Sequence, residues 1–153
     1  MAKKNEKAKI HFRIDDIQLV SHFENDPKKY KLTKKDIETS EIKVGLEIEI
    51  DPEDAMVILQ PTVVFFCSKN NKDTDLFGGK VLYKFEIKNF DLYFSGDEEG
   101  KISFLQEFLE QLLGITLAGL RGMLVLLNKQ SLYKKAYLPL VDPKPFLDQF
   151  INR

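Results

Sequence analysis

Residues 105–127 read LQEFLEQLLGITLAGLRGMLVLL. Leucine and phenylalanine recur in this stretch at spacings of three and four residues, which predicts an α-helix of about six turns with one apolar face. The same stretch carries a second pattern, because Gly114, Ala118 and Gly122 are four residues apart. Each glycine inside a helix costs about 1 kcal/mol relative to alanine. We therefore expect another backbone to approach closely along this small-residue stripe.

Two neighbours could occupy the small-residue stripe. One is the sheet of the same chain, and in that case, or if Gly114 is only a kink in the helix, no partner is needed. The other is a helix of a second copy of this chain, packed across a symmetric oligomer interface. The sequence leaves both alternatives open.

Four strands are predicted before the helix. The clearest covers residues 42–50, where every second residue is apolar. The first strand begins at residue 10 and changes phase at Asp15-Asp16, which predicts a β-bulge. The third, residues 56–67, is apolar on both faces and should need covering surface on both. The fourth begins near residue 81 and changes phase at Asn89, which predicts a second bulge.

Proline residues in the segment Asp142-Pro143-Lys144-Pro145 predict a short closing helix with proline in its first turn. Because no helix separates the four strands, the order of elements indicates the α+β class rather than α/β. We expect residues 1–9 to form a flexible basic N-terminus and residues 10–153 to form a single domain.

The composition is that of an ordinary folded domain, with 43% apolar and 31% charged residues and a net charge of −1. This balance excludes a strongly charged partner as the main one. The lysines of residues 2–9 could be a nucleic-acid-binding arm, but we expect a solubilising terminus and no nucleic-acid partner. The single cysteine, Cys67, cannot form an intrachain disulfide, which indicates the cytoplasm. Only ten uncharged residues separate Glu110 from Arg121, so we expect no membrane insertion.

No group of residues predicts catalysis or metal binding. His11, His22 and Cys67 are too few and wrongly spaced for a zinc site. Gly78-Gly79 lacks the lysine and hydroxyl residue of a phosphate-binding loop. No nucleophile has a positioned base. We therefore expect neither an enzyme nor a cofactor, and no metal.

With these elements placed, the chain resembles the SecB family of export chaperones over residues 10–150. The resemblance is carried by an ordered set of segments rather than by one motif. The segments are Phe12-x-Ile14-x-x-Ile17 followed by Phe23-Glu24, then Phe85-Glu86-Ile87, then Leu117 to Arg121, Ser131 to Leu140 and Phe146 to Phe150.

The resemblance implies a four-stranded antiparallel sheet with a long and a short helix, assembled as a dimer of dimers. Such proteins hold unfolded or pre-export polypeptides in apolar grooves without ATP and can deliver them to the SecA motor. Candidate groove residues are Phe65, Phe66, Phe90, Leu92, Tyr93 and Phe94, with ordinary core packing as the alternative for each. The resemblance places Phe85, Ile87, Gly114, Ala118 and Gly122 at oligomer interfaces and Glu24 and Glu86 at a surface facing SecA.

Two other functions remain open. Members of the broader SecB-like family protect antitoxins, so the partner could be one dedicated protein. A small enzyme or ligand-binding domain is the alternative from a different class. An enclosed polar cavity between sheet and helix would favour this last function, whereas a long apolar surface would favour the chaperone.

Overall fold

The structure, a computed structural model, describes residues 11–92, 94–96, 102–104, 106–128, 133 and 138–151. The expected N-terminal segment, residues 1–9, lies outside the described residues. The elements are β1 (Phe12–Glu24), a 3-10 turn (Pro27–Tyr30), α1 (Lys34–Glu38), β2 (Glu41–Asp51), β3 (Met56–Lys69), β4 (Lys72–Ile87), a second 3-10 turn (Phe90–Leu92), β5 (Phe94–Gly96), β6 (Ile102–Phe104), α2 (Gln106–Leu127) and α3 (Pro143–Ile151). The α+β class is confirmed, with an antiparallel four-stranded sheet followed by a long and a short helix.

The sheet has the order β1-β4-β3-β2, so β4 and β3 are central and β1 and β2 are edges. β2 pairs with β3 in one unbroken register along its whole length. β1 pairs with β4 with two register shifts, one between Ile14 and Asp16 and one between Leu19 and Ser21. The first shift confirms the predicted bulge, and the second was not predicted.

The hairpin between β3 and β4 turns at Asn70 and Asn71, which have φ values of 54° and 59°. Two residues with positive φ make the hairpin turn whose twist matches that of the flanking strands, and asparagine tolerates this conformation better than most residues. Pairing therefore resumes at once, and Lys69 faces Lys72. The expected start of the fourth strand near residue 81 was wrong for this reason, because β4 already begins at Lys72.

The predicted second bulge at Asn89 was also wrong. β4 ends at Ile87, and Asn89 has a φ of 55°, so the chain leaves the sheet instead of continuing along it. The 3-10 turn and the β5–β6 hairpin then bring Phe90 and Phe94 back against the core, where their rings stack with centroids 4.2 Å apart. The ring of Phe94 also meets the edge of Phe108 in α2. Aromatic residues on both sides of Asn89 are therefore buried.

One face of the sheet is covered by the helices. The fully buried side chains of this layer include Leu59, Phe77, Phe85, Phe108, Leu112 and Leu120. The alternating phase of the strands and the leucine spacing of α2 both direct these side chains into the same layer. This is the main hydrophobic core of the described part of the chain.

The opposite face of the sheet carries ion pairs that cross the central strand β3. Lys80 of β4 contacts Glu47 of β2 at 2.8 Å, and Lys43 of β2 contacts Asp75 of β4 at 2.8 Å. The aliphatic stems of such long side chains can cover apolar surface beneath them. Residues of β3 on this face, such as Val64, are half-buried. Within the described residues, the second face of β3 is thus shielded by charged side chains and not by a further layer.

Asn128, at the end of α2, has 1% of its surface exposed, and neither its side-chain nitrogen nor its side-chain oxygen has a hydrogen-bond partner among the described residues. A buried polar group without a partner costs about 1–3 kcal/mol. We predict that Asn128→Leu raises the free energy of unfolding by an amount in this range, measured by chemical denaturation.

Thr116 provides the matched control, because its buried hydroxyl donates to the carbonyl oxygen of Leu112 at 2.8 Å. Thr116→Val removes a group that has its partner and should not stabilise the protein. Equal or lower stability of the Asn128→Leu variant would contradict the prediction.

Candidate functional site: an open apolar surface beside α2

α2 approaches the sheet closely at Gly119. A Cβ atom at Gly119 would overlap the hydroxyl of Tyr83 and lie 2.6 Å from its Cζ, so a larger residue here would force the Tyr83 ring to move. Further along the helix, Leu124 packs over Gly79, and its Cδ2 lies 3.5 Å from the position of a Cβ there. Both Tyr83 and Gly79 belong to β4. The axis of α2 therefore follows β4, one strand away from the edge strand β1.

One side of α2 faces β1. Phe108 marks this side, because its ring meets that of Phe12 at a centroid distance of 6.2 Å. The helical repeat places Ile115, Gly122 and Leu126 on the same side. Ile115 is half-buried. If Gly122 carried a Cβ atom, no described atom would lie within 4 Å of it. Leu126 is 74% exposed. This side of α2 becomes progressively uncovered toward its C-terminal end.

β1 contributes an apolar row next to this side of α2. Ile14, Ile17 and Leu19 stand opposite core residues of β4, so they share the helix-covered face of the sheet. They are nevertheless 43%, 44% and 45% exposed, because α2 lies over β4 and does not reach across β1. We call Ile14, Ile17, Leu19, Ile115, Gly122 and Leu126 together the β1–α2 surface.

The small-residue stripe divides between two environments. A Cβ on Gly114 would lie 3.5 Å from Cγ of Pro143, so this end of the stripe faces α3 of the same chain. Ala118 and Gly122 are exposed. The close contact with the sheet is made instead by Gly119, which is not part of the stripe. Sequence spacing could not single out Gly119, since its requirement comes from a tyrosine 36 positions earlier in the chain.

The aromatic residues expected to line a groove lie mainly in the core. Phe65, Phe90 and Phe94 are buried in the hydrophobic core, whereas Phe66 is buried beneath Lys43 on the opposite face of the sheet. The ring of Phe65 stacks on Phe77 at 4.3 Å, and Lys43 lies 4.7 Å from the ring centroid of Phe66. Leu92 ends the second 3-10 turn, and its side chain is outside the described part of the structure. Tyr93 lies outside the described residues.

The residues expected at an interface along the fourth strand are also buried. Phe85 is 0% and Ile87 is 2% exposed, and β4 lies inside the sheet, so neither residue is available on the surface of this chain. Glu86 forms an ion pair with Arg13 near the start of β1. Glu24 is the last residue of β1, so the two glutamates are about 35 Å apart along that strand.

A cavity of about 400 Å³ is lined by Glu24, Asn25, Asp26 and Lys28. Tyr133 lies close by, and its hydroxyl donates to the carbonyl oxygen of Asn25 at 2.5 Å. Burial raises the pKa of Tyr133 to about 12, with a further contribution from the negative charges of Glu24 and Asp26. The side chains of Glu24, Asp26 and Lys28 are exposed, so the cavity opens to solvent at the end of β1. It does not lie between the sheet and the helices.

Among the described residues, no three of the side chains histidine, cysteine, aspartate and glutamate come together as metal ligands. Burial raises the pKa of the Cys67 thiol, which keeps it protonated at neutral pH and unreactive. α2, with 22 residues and a mean hydropathy of 1.4, is long and apolar enough to cross a membrane by length and composition. Six of its leucines are buried, as in the core helix of a folded domain: Leu109, Leu112, Leu113, Leu117, Leu120 and Leu124.

No protein-family model and no curated protein sequence matches this chain. A search of solved structures finds similarity to the crystal structure of a protein of unknown function from Streptococcus agalactiae. The two chains share 10% sequence identity with a TM-score of 0.44, over 88% of this chain and 99% of the other.

Gly119 and Gly122 allow a matched test of where α2 packs. We predict that Gly119→Ala destabilises the protein by about 1–3 kcal/mol, because the added methyl group collides with Tyr83. Gly122→Ala should stabilise it by up to about 1 kcal/mol through helix propensity, since nothing lies near that position.

Thermal and denaturant unfolding of the two variants measure this difference. If the free energy of unfolding changed in the same direction in both variants, the described packing of α2 on β4 would be contradicted.

Proposed function

We propose that this protein is an ATP-independent chaperone that binds unfolded or pre-export polypeptides. The observation that supports this proposal is the β1–α2 surface, an apolar face beside a helix that the rest of the described chain leaves uncovered. Exposed apolar patches of this kind usually mark contact sites for other polypeptides. The proposal agrees with the function that the resemblance to the SecB family implies.

The chemistry of the β1–α2 surface suits clients of many sequences. Its side chains are aliphatic, and together with the glycine they offer neither a charge nor a hydrogen-bonding group that would select one partner. Each large apolar side chain of a client buried there would contribute about 1.5–3 kcal/mol before the cost of ordering the client chain. Binding of several such side chains would be sufficient for capture without nucleotide hydrolysis.

A chaperone for one dedicated client, such as an antitoxin, would use the same surface and is the second candidate. The alternative of an enzyme or ligand-binding domain has less support, because the space between sheet and helices is filled by core side chains and the polar cavity opens at the end of β1.

Delivery to SecA through both Glu24 and Glu86 would need a docking surface about 35 Å long. A cytoplasmic location remains part of the proposal.

The test is suppression of aggregation of several chemically unfolded proteins in the absence of nucleotide. We predict that the double variant Ile17→Ser and Leu126→Ser loses most of this activity, because both side chains are on the β1–α2 surface. Both are already exposed, so the melting temperature should change little.

Leu140 provides the control, since it is 88% exposed and lies outside the β1–α2 surface. Leu140→Ser should suppress aggregation as well as the unchanged protein does. Full activity of the double variant, or no activity of the unchanged protein toward any client, would overturn the proposal. Activity toward a single natural partner only would favour the dedicated chaperone.

A further inference from the structure

The edge strand β2 is regular and uncovered. It pairs with β3 through all of its residues without a bulge, whereas the other edge, β1, is interrupted twice. No described segment pairs with the outer side of β2. A long and regular edge strand presents free backbone N–H and C=O groups to any other strand, and proteins commonly protect such edges with bulges, prolines or charges. β2 contains neither a proline nor a bulge.

The charges next to this edge leave it accessible. Lys43 and Glu47 of β2 are directed across β3, where they pair with Asp75 and Lys80 of β4. The Lys43 side chain nevertheless keeps 48% of its surface exposed, so its ammonium group can donate to a second carboxylate beside Asp75. Val44, on the helix-covered face of β2, remains 37% exposed. The edge thus retains both free backbone groups and apolar side chains.

The sequence of β2 is complementary to itself in antiparallel pairing. With Leu46 opposite Leu46 of a second copy, Ile42 stands opposite Ile50 and Val44 opposite Ile48. All of these residues lie on the same face, because residues opposite each other in a ladder share a face. The same register places Lys43 opposite Glu49 twice. Glu49 is exposed and forms no ion pair with any described residue.

The charged residues before β2 and those in and after it are also complementary in antiparallel pairing. Residues 27–35, which lead into α1 before the start of β2, contain five lysines and no acidic residue. Residues 44–68 contain five acidic residues and no lysine or arginine. Asp36, Glu38 and Glu41 follow this basic segment, and Asp36 and Glu38 are paired with Lys69 and Lys34. Antiparallel pairing would bring the lysine-rich segment of each copy toward the acidic end of the other. Two like-charged pairs, Glu41 with Asp51 at each end, would remain, and there the Asp51 carboxylate accepts hydrogen bonds from the backbone N–H groups of Glu53 and Asp54 in its own turn.

We propose that two copies of this chain associate through their β2 edges, antiparallel and centred on Leu46, so that one sheet continues across a two-fold axis. The hydrogen bonds of the new ladder, the Ile42–Ile50 and Val44–Ile48 contacts and the two Lys43–Glu49 pairs hold the dimer. The β1–α2 surfaces lie at the two outer edges of this sheet and stay free. The dimer does not depend on chaperone activity, and its test contains no client.

A charge exchange tests the pairing. Glu49→Lys places two lysines opposite each other, and Lys43→Glu places two glutamates opposite each other. Each single change is expected to raise the dissociation constant at least tenfold in sedimentation equilibrium at low salt. The double variant restores opposite charges and is expected to return within about threefold of the unchanged protein. Lys88→Glu, an exposed position beyond the end of β4, is the control and should leave the constant unchanged.

A symmetric cross-link tests the register. In a Cys67→Ala background, Leu46→Cys places two thiols opposite each other across the axis, and mild oxidation should give a covalent dimer. Ile50→Cys places each thiol opposite Ile42 and should not cross-link. Any of four results would overturn the proposal. The first two are a monomer at all micromolar concentrations and single charge variants whose association is unchanged. The other two are a double variant whose association is not restored and cross-linking of Ile50→Cys in preference to Leu46→Cys.

Discussion

A four-stranded sheet that helices cover on one face only must protect its other face and both of its edges by other means, and this constraint governs the whole structure. The second face is shielded by the ion pairs Lys80–Glu47 and Lys43–Asp75, which cross the apolar strand β3. Exposed ion pairs contribute little stability by themselves. Here they hold long side chains over apolar residues of β3, which no further layer of the described chain covers. The edges are treated differently, with bulges in β1 and no interruption in β2.

The apolar surface follows from the packing of α2 and not from an accumulation of apolar residues. Gly119 lies against the hydroxyl of Tyr83, and Leu124 lies over Gly79, so the helix packs on β4. A helix placed over β4 leaves the edge strand β1 half covered. The exposed apolar side chains on β1 then follow from where the helix packs. Structure and proposed function are thus connected through one contact between a helix and a strand.

Much of the fold was predictable because local patterns carry it. The alternation from Ile42 to Ile50 defined β2 and its faces, and the leucine spacing defined α2. The start of β4 was missed because the turn at Asn70 and Asn71 contains neither glycine nor proline, and its conformation shows only in the backbone angles. The proposed binding surface was not predictable at all. An apolar strand residue gives the same sequence pattern whether or not a helix covers it. Which strands α2 covers depends on contacts between residues that are distant in the sequence.

The arrangement also explains why several aromatic residues expected in a groove are buried instead. A change of phase after β4 indicates either a bulge within a strand or the end of the strand, and the sequence pattern is the same for both. Asn89 ends the strand, so Phe90 and Phe94 fold back to stack within the core. Aliphatic residues of β1 are the ones left exposed.

We propose that β1 and the adjoining side of α2 are open and receive other polypeptides. Hydrogen–deuterium exchange followed by mass spectrometry, on the protein alone and with a reduced unfolded client, measures whether they do. We predict that amides of β3 and β4 exchange slowly in both samples, and that protection is gained with client in peptides covering β1 and the C-terminal half of α2. Client-dependent protection confined to other segments, with β1 and α2 unchanged, would contradict this binding site.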